Sequence, residues 1–207
     1  MPEAQESQKA SFCRQRSYFA TRILSLLTAR AFFSVTQIDL IKSFYNVRLD
    51  YDSLMAAHLF AEICDKSTFE IVNLDELLLL TLKSLAMLEK NTYPPKQITV
   101  VFMLLALGFH GLRPITDVCA ICKKPMESFG VKYYFASDGL TCESCYLLKK
   151  TVPASQASLA AVNYILNNSL TGSFHFKVTD EVLAELMEIA FFLWQTHFDF
   201  ELVSHRM

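Results

Sequence analysis

Four cysteines in two pairs carry the most specific chemical pattern in the chain. Cys119 and Cys122 form one Cys-x-x-Cys pair, and Cys142 and Cys145 form a second pair after 19 intervening residues. Each pair can present two thiolates from one tight turn, and two such turns can meet to form a tetrahedral four-sulfur site. The spacing therefore predicts one structural Zn²⁺. Because four protein ligands leave no coordination position for water, hydrolysis at this metal is not expected.

The residues between the two pairs fit a zinc ribbon. Residues 131–135 (VKYYF) predict a strand and Ser137-Asp138-Gly139 a turn, so a hairpin joins the pairs within a ribbon that spans residues 113–150. A redox role for either pair is the competing interpretation, but two pairs without a βαβ setting favour metal. Three lysines could screen the negative charge of the thiolates, or could be ordinary solvated residues. These are Lys123, Lys124 and Lys132.

The sequence contains none of the common catalytic patterns. It has no His-x-Glu, His-Glu-x-x-His or Gly-x-Ser-x-Gly motif, and five glycines leave little material for a phosphate-binding loop. His58 and Glu62 are four residues apart, as two ligands or an acid/base pair could be. A contact on one helix face is the commoner explanation of that spacing. We expect no enzyme.

Two groups of aromatic residues could contact nucleic acid. Arg14, Arg16 and Arg22 flank Tyr18 and Phe19, and this mixture can hold phosphates and stack on unpaired bases. The two aromatic residues could equally pack inside the protein. The second group lies on the predicted hairpin, where one face must cover the small core, so packing is favoured over base stacking. It consists of Tyr133, Tyr134 and Phe135.

The elements that must position these residues are mainly helical. Residues 22–37 mix β-branched and aromatic residues and predict one or two strands. Apolar residues at helical spacing predict the remaining elements. The predicted helices span residues 37–45, 52–66, 77–88, 96–110, 155–167 and 179–197. The sequence therefore predicts a helical bundle with a four-cysteine insertion and a small β-containing segment at the front.

Composition and charge exclude several classes of protein. With 52% hydrophobic and 19% charged residues, the 207-residue chain is a folded protein. Its net charge of −2 argues against a wholly basic nucleic-acid-wrapping protein, although residues 1–30 and 113–150 carry +3 and +2. The polar start lacks a secretory signal, and the longest apolar run, 12 residues, is too short to span a membrane. We expect a reducing cytoplasm and no membrane contact.

Residues around the cysteines resemble the zinc-containing helical domain of the bacterial RecO family of DNA repair proteins. The matching pattern is Leu104-Leu105, Gly111-Leu112-x-Pro114, Cys119-x-x-Cys122-x-x-Pro125, Phe135 and Gly139-Leu140-x-Cys142-x-x-Cys145. Residues 34–44 (SVTQIDLIKSF), residues 57–63 (AHLFAEI) and Phe200-Glu201-Leu202-x-Ser204 are similar to further family segments. Two positions depart from the family pattern, since Lys123 replaces a usual glycine and Asp138-Gly139 replaces Gly-Gly.

The resemblance implies a recombination mediator and no enzyme. Family members bind single- and double-stranded DNA, anneal complementary strands, contact the C-terminal tail of single-strand-binding protein, and help RecR to load the recombinase in the bacterial cytoplasm at the nucleoid. The implied fold is mainly α, with an incomplete OB-fold-like β segment after a polar tail in residues 1–36 and a helical domain in residues 37–207. The alternative is a zinc-stabilised helical protein-interaction scaffold that has lost direct DNA binding. Candidate DNA or partner contacts are Arg14, Arg16, Arg22, Arg113, Lys123, Lys124 and Lys132.

Overall fold

The N-terminal part of the chain forms an antiparallel sheet. The structure, a computed structural model, describes residues 9–11, 20–29, 32–67, 74–125, 132–198 and 202. Strands β1 (Lys9–Ser11), β2 (Ala20–Ala29) and β3 (Phe32–Ser43) pair in the order β1-β2-β3. The prediction of one or two strands over residues 22–37 is confirmed by β2 and β3. The described strands number three, whereas an OB-fold closes five strands into a barrel, so an OB-fold-like arrangement stays a prediction.

The predicted helix over residues 37–45 is wrong. β3 continues to Ser43, and a short 3-10 helix, Tyr45–Arg48, follows it. Within β3, Ile38 pairs with Leu24 and Leu40 pairs with Arg22 of the neighbouring strand. An antiparallel ladder with β2, interrupted by two register shifts, pairs the backbone here. This pairing overrides a helical stripe of only four apolar residues. The predicted boundary between residues 36 and 37 falls inside this strand.

Five α-helices within the described residues confirm the predicted mainly helical bundle. They are α1 (Tyr51–Ser67), α2 (Leu74–Lys90), α3 (Pro95–Phe109), α4 (Gln156–Asn167) and α5 (Asp180–His197). Their centres agree with the predicted segments, and the ends differ by a few residues. None of the helices in the described part of the chain combines the length and apolar composition needed to cross a bilayer.

Helix α3 lies at the centre of the bundle and contacts the other four helices. Its sequence is apolar almost all round, so ten of its 15 residues are buried. Phe102 stacks on Phe60 of α1 with ring centroids 4.2 Å apart. The buried indole Nε1–H of Trp194 in α5 donates to the backbone carbonyl of Met103 at 3.0 Å. This hydrogen bond pins α5 to the central helix.

One carboxylate joins the start of α4 to α5. Ser155 is the N-cap of α4, and its hydroxyl accepts a hydrogen bond from the backbone N–H of Ser158. Glu185 of α5 accepts from the backbone N–H of Ser155 at 3.0 Å, from its hydroxyl at 2.7 Å, and from the buried Ser158 hydroxyl. Partial burial raises the pKa of Glu185, but the hydrogen bonds outweigh it, so the pKa lies below its usual value.

We expect Glu185→Gln to lower the free energy of unfolding by about 2 kcal/mol at neutral pH, because a neutral amide oxygen accepts these three hydrogen bonds more weakly than a carboxylate does. A carboxylate whose pKa is depressed by folding stabilises the protein above its unfolded pKa, and that stabilisation is lost as pH falls through the folded pKa. Urea unfolding at neutral and acidic pH should therefore show the difference shrinking in acid. Glu188→Gln, an exposed residue of the same helix, should have little effect. An equal loss at both pH values would contradict this prediction.

The ribbon shares the core of the helices. Its strands β4 (Tyr133–Ala136), β5 (Gly139–Thr141) and β6 (Val152–Ala154) form an antiparallel sheet in the order β5-β4-β6. Phe135 and Leu140 are fully buried in the same apolar cluster as the helices. His197, at the end of α5, places its Nε2 atom 2.8 Å from the carbonyl oxygen of Ser137 in the hairpin turn. The predicted hairpin is confirmed, and it is docked on the bundle.

Candidate metal centre

Two backbone turns place the cysteines in pairs. In the first, the backbone N–H of Lys123 donates to the carbonyl of Cys119 at 2.9 Å, and the N–H of Cys119 donates to the carbonyl of Lys124 at 2.8 Å. In the second, the N–H of Cys145 donates to the carbonyl of Cys142 at 2.9 Å. Each turn thereby presents its two sulfur atoms on one side. The predicted knuckles are present at both pairs.

Two segments of the chain cross where Ile115 meets Gly139, and this crossing brings the two turns together. The backbone N–H of Ile115 donates to the carbonyl of Asp138 at 3.0 Å, and the N–H of Leu140 donates to the carbonyl of Ile115 at 2.7 Å. The N–H of Ala120 donates to the carbonyl of Leu140 at 2.8 Å. Ile115 precedes Cys119 by four residues, and Gly139 precedes Cys142 by three. The crossing therefore sets the distance between the knuckles.

The four sulfur atoms form a cluster of the size that a tetrahedral metal requires. All of them lie within 4.8 Å of one another, and the Sγ atoms of Cys122 and Cys142 are 3.7 Å apart. With Zn–S bonds of about 2.3 Å, the edge of a tetrahedral site is about 3.8 Å. A disulfide would need about 2.05 Å. The predicted four-cysteine cluster is thus confirmed, and its donors could hold a metal ion.

Folding moves the pKa values of two cluster cysteines in opposite directions. Burial raises the pKa of the Cys119 thiol, but backbone hydrogen bonds from Cys122, Cys142 and Ile121 outweigh it, so the pKa falls to about 6. The pKa of Cys145 rises to about 12, because the site is desolvated and the neighbouring sulfur atoms compete for protons and repel its negative charge. A divalent cation at the centre removes that repulsion.

Lys123 occupies a backbone conformation that favours glycine. Its φ angle is +60°, in the left-handed region. The family that this chain resembles usually has glycine at this position. In this chain, Lys123 is an exposed residue of the knuckle. The turn therefore tolerates a Cβ atom at the cost of local strain.

Lys123→Gly should raise the free energy of unfolding of the metal-loaded protein by up to about 1 kcal/mol, because strain relief exceeds the added freedom of the unfolded chain. Urea unfolding measures the change. Lys124→Gly is the matched control, since that neighbour does not have a positive φ angle, and it should destabilise. A destabilising Lys123→Gly would show that the side chain has a stabilising role at this position.

The aromatic residues of the hairpin are used in packing. Phe135 is fully buried, Tyr133 packs against the main core, and Tyr134 stacks on Tyr146 with ring centroids 4.3 Å apart. The packing interpretation is favoured over base stacking. In α1, Glu62 forms an ion pair with Lys66 at 2.7 Å. The helix-face explanation of the His58 and Glu62 spacing stays a prediction.

The predicted basic residues differ in their contacts and in whether the structure describes them. Lys123, Lys124 and Lys132 are exposed on the ribbon, and Arg113 is exposed but donates from Nη2 to Oδ1 of Asn167 in α4 at 2.8 Å. Four of the predicted N-terminal residues lie outside the described part of the chain: Arg14, Arg16, Tyr18 and Phe19. For Arg22, the backbone is described but the side chain is not.

Sequence reasoning assigned no role to two further ribbon lysines. Lys149 forms an ion pair with Asp138 at 2.5 Å, and Lys150 lies over the ring of Phe192 at 6.0 Å. The excess of lysine in residues 113–150 is the only signal that pointed to them.

Comparison with known proteins identifies the family. Residues 48–205 match the family model described as "Recombination protein O C terminal". "DNA repair protein RecO" of Acetivibrio thermocellus is 30% identical over 167 residues, which cover 80% of this chain and 66% of that protein. The protein of the same name from Dehalococcoides mccartyi is 28% identical over 169 residues, covering 79% and 64%. The chain thus spans just under two thirds of the length of these curated relatives. Since the matched residues include the five described α-helices and the four cysteines of the cluster, the chain belongs to the RecO family.

Proposed function

We propose that this chain is a DNA repair and recombination protein that acts by binding DNA and protein partners, without catalysis. The family match over residues 48–205 carries this proposal, because it covers the bundle and the four-cysteine site together. The closed donor set is the second support. A site with four protein ligands stabilises a fold and leaves no position for a substrate. The protein would act in the cytoplasm, where the bacterial chromosome lies.

The metal that we propose for the cluster is a single structural Zn²⁺. Four sulfur donors suit Zn²⁺, which prefers tetrahedral sites with thiolate ligands. The ligands would be Cys119, Cys122, Cys142 and Cys145. When bound, the ion supplies charge compensation and a cross-link between the two knuckles. It would hold the ribbon in the position that the Ile115 crossing prepares.

The proposed DNA surface is the exposed basic face of the ribbon, defined as Lys123, Lys124 and Lys132. For these three lysines, the described residues provide no ion-pair partner. Phosphate contacts supply most of the sequence-independent affinity for nucleic acid. Residues 151–207, with a net charge of −4, make a poor phosphate surface. We further propose contacts from Arg113 and from Arg14, Arg16 and Arg22 of the N-terminal segment.

Removing the charge of this basic face should weaken binding to single-stranded DNA by about 10- to 100-fold at low salt and reduce the salt dependence of binding. The variant is Lys123→Gly, Lys124→Gln, Lys132→Gln, in which glycine avoids strain at the left-handed position. Fluorescence anisotropy with a labelled oligonucleotide, at about 50 mM and about 200 mM salt, measures both quantities. The matched control replaces the exposed Lys90, Lys96 and Lys177 of the bundle by Gln. Equal affinity of the two variants would contradict the proposed surface.

Annealing of complementary strands, recombinase loading with RecR, and contact with the tail of single-strand-binding protein are the further roles that we propose for this family member. Each follows from the resemblance and has a direct assay with purified components. Strand annealing can be followed by fluorescence quenching, and partner binding by analytical ultracentrifugation. The same basic-face variant, used in each assay, tests which of these roles depend on the three lysines.

A helical protein-interaction scaffold is the second candidate, and one observation favours it. Leu147 and Leu148 expose 80% and 69% of their surface on the 3-10 helix after Cys145. Adjacent exposed leucines are typical of a protein contact more than of a phosphate contact. If zinc-loaded protein shows no DNA binding at low salt, the scaffold is the better description.

A further inference from the structure

The four sulfur ligands differ sharply in their exposure to solvent. Cys119, Cys142 and Cys145 are 0%, 4% and 7% exposed, whereas Cys122 is an exposed residue at the end of the first knuckle. Its Sγ atom is 3.7 Å from that of Cys142, within a cluster whose members are up to 4.8 Å apart. The exposed cysteine of the cluster therefore has its sulfur atom next to that of a buried cysteine from the other knuckle.

We infer that Cys122 is a site of oxidation by hydroperoxides, and that its oxidation produces a Cys122–Cys142 disulfide in exchange for the metal. The inference rests on the proposed zinc site. Accessible thiolates are the ones that peroxides oxidise, and burial protects the others. The modification would make the ribbon responsive to the same oxidants that damage DNA.

The reaction balances with the hydroperoxide as the only oxidant. In the first step the Cys122 thiolate attacks one peroxide oxygen, the O–O bond breaks, a sulfenic acid forms and hydroxide leaves. In the second step the Cys142 thiolate attacks the Cys122 sulfur, the S–O bond breaks, the S–S bond forms and a second hydroxide leaves. Two thiolates are oxidised by two electrons, and one hydrogen peroxide is reduced to two hydroxide ions. The zinc ion keeps its charge and loses two of four ligands.

The identity of the bonded pair determines what happens to the ribbon. A disulfide within either Cys-x-x-Cys pair would leave the two knuckles unlinked after zinc release. A Cys122–Cys142 bond instead joins the first knuckle to the second, so it replaces one cross-link by another. The crossing at Ile115 and the burial of Phe135 and Leu140 would persist. The oxidised ribbon should therefore stay folded and recover zinc after reduction.

The test uses zinc-loaded protein in which Cys13 and Cys64 are replaced by Ser, so that the four cluster cysteines are the only thiols. Metal content is measured first. Absence of zinc at that stage would refute the proposed metal site and remove the basis of this inference. With zinc present, hydrogen peroxide is added, zinc release is followed with a colorimetric chelator, and disulfides are mapped by mass spectrometry.

We expect one equivalent of zinc to be released as two thiols are lost, with Cys122 linked to Cys142. A 1,3-diketone added early should trap sulfenic acid at Cys122. The oxidised protein should also keep a higher melting temperature than protein stripped of zinc by a chelator. Predominant linkage of Cys119 to Cys122 or of Cys142 to Cys145, or oxidation without zinc release, would overturn the inference.

Two histidine variants separate the exposed ligand from a buried one. Cys122→His and Cys119→His each keep a four-ligand site of the Cys₃His type. Peroxide-driven zinc release should slow by about tenfold or more in Cys122→His, because the accessible thiolate is gone. Cys119→His should release zinc at nearly the original rate. Equal rates for the two variants would contradict the role of Cys122.

Discussion

Cys142→Ser is expected to abolish stoichiometric zinc binding and to lower the free energy of unfolding by at least about 4 kcal/mol, or roughly 10 °C in melting temperature. Cys142 is buried directly after β5, and its backbone carbonyl accepts the hydrogen bonds that form the second knuckle. A serine hydroxyl is a much weaker zinc ligand than a thiolate. Loss of the Cys142 thiolate leaves three cysteines, which cannot close a tetrahedral site.

The expected loss extends beyond the ribbon, because the ribbon contributes to the main core. Phe135 and Leu140 pack among the helices, and His197 of α5 contacts the hairpin turn. Once the knuckles separate, these side chains lose their fixed positions. The helices should then unfold at lower temperature, although they contain no ligand themselves. Circular dichroism at helical wavelengths reports this coupling directly.

The matched control for this experiment is Cys64→Ser. Cys64 is a partly buried cysteine of α1 whose Sγ atom is 3.2 Å from the hydroxyl of Thr81, and it lies outside the cluster. It should keep one zinc per chain and nearly the original melting temperature. A chelator should destabilise the original protein and the control, but leave Cys142→Ser unchanged. Retention of zinc and stability by Cys142→Ser would contradict the structural role of the metal.

Gly139→Ala is expected to cost roughly 3–5 kcal/mol, through backbone strain and a clash that cannot relax. Gly139 has a φ angle of +130°, which L-residues rarely adopt. A Cβ atom there would lie 2.2 Å from the carbonyl oxygen of Ile115 and 2.4 Å from its backbone nitrogen. Both contacts are with backbone atoms, so no side-chain rotation relieves them. The crossing that sets the distance between the knuckles must open.

Gly139→Ala should therefore weaken zinc binding although every ligand is retained. Competition with a chromophoric chelator measures the zinc affinity, and urea unfolding measures the stability. Gly108→Ala is the control, because Gly108 lies in α3 and an added Cβ would meet nothing within 4 Å. In a helix that change should be neutral or stabilising by up to about 1 kcal/mol. Original zinc affinity in Gly139→Ala would show that the crossing does not determine the site.

Much of this fold and site follows from local sequence patterns. The Cys-x-x-Cys pairs specify the ligands because two residues between cysteines fix the geometry of each turn. Helix α3 follows from a long apolar run after Pro95, and the caps Ser155 and Thr179 mark the starts of α4 and α5. These features are determined within a few residues along the chain.

Other features depend on residues that are distant in sequence, and local patterns do not reveal them. β3 is a strand because β2 pairs with it, whereas its own apolar spacing also fits a helix. The exposure of Cys122 and the burial of the three other cluster cysteines depend on how residues of the two knuckles pack against one another. The contact of Ile115 with Gly139 joins segments 24 residues apart. The residue types predict the cluster, and the tertiary packing determines its asymmetry.

The insertion of the ribbon between α3 and α4 has a consequence for folding kinetics. The hydrogen bond from Trp194 to Met103 joins residues 91 positions apart, with the whole ribbon between them. Closing a long loop costs entropy that grows with its length, and long-range contacts slow folding. A ribbon closed by the proposed metal would shorten the effective loop that α5 must close to reach α3. We therefore expect the supply of that metal to change how fast the bundle forms as well as how stable it is.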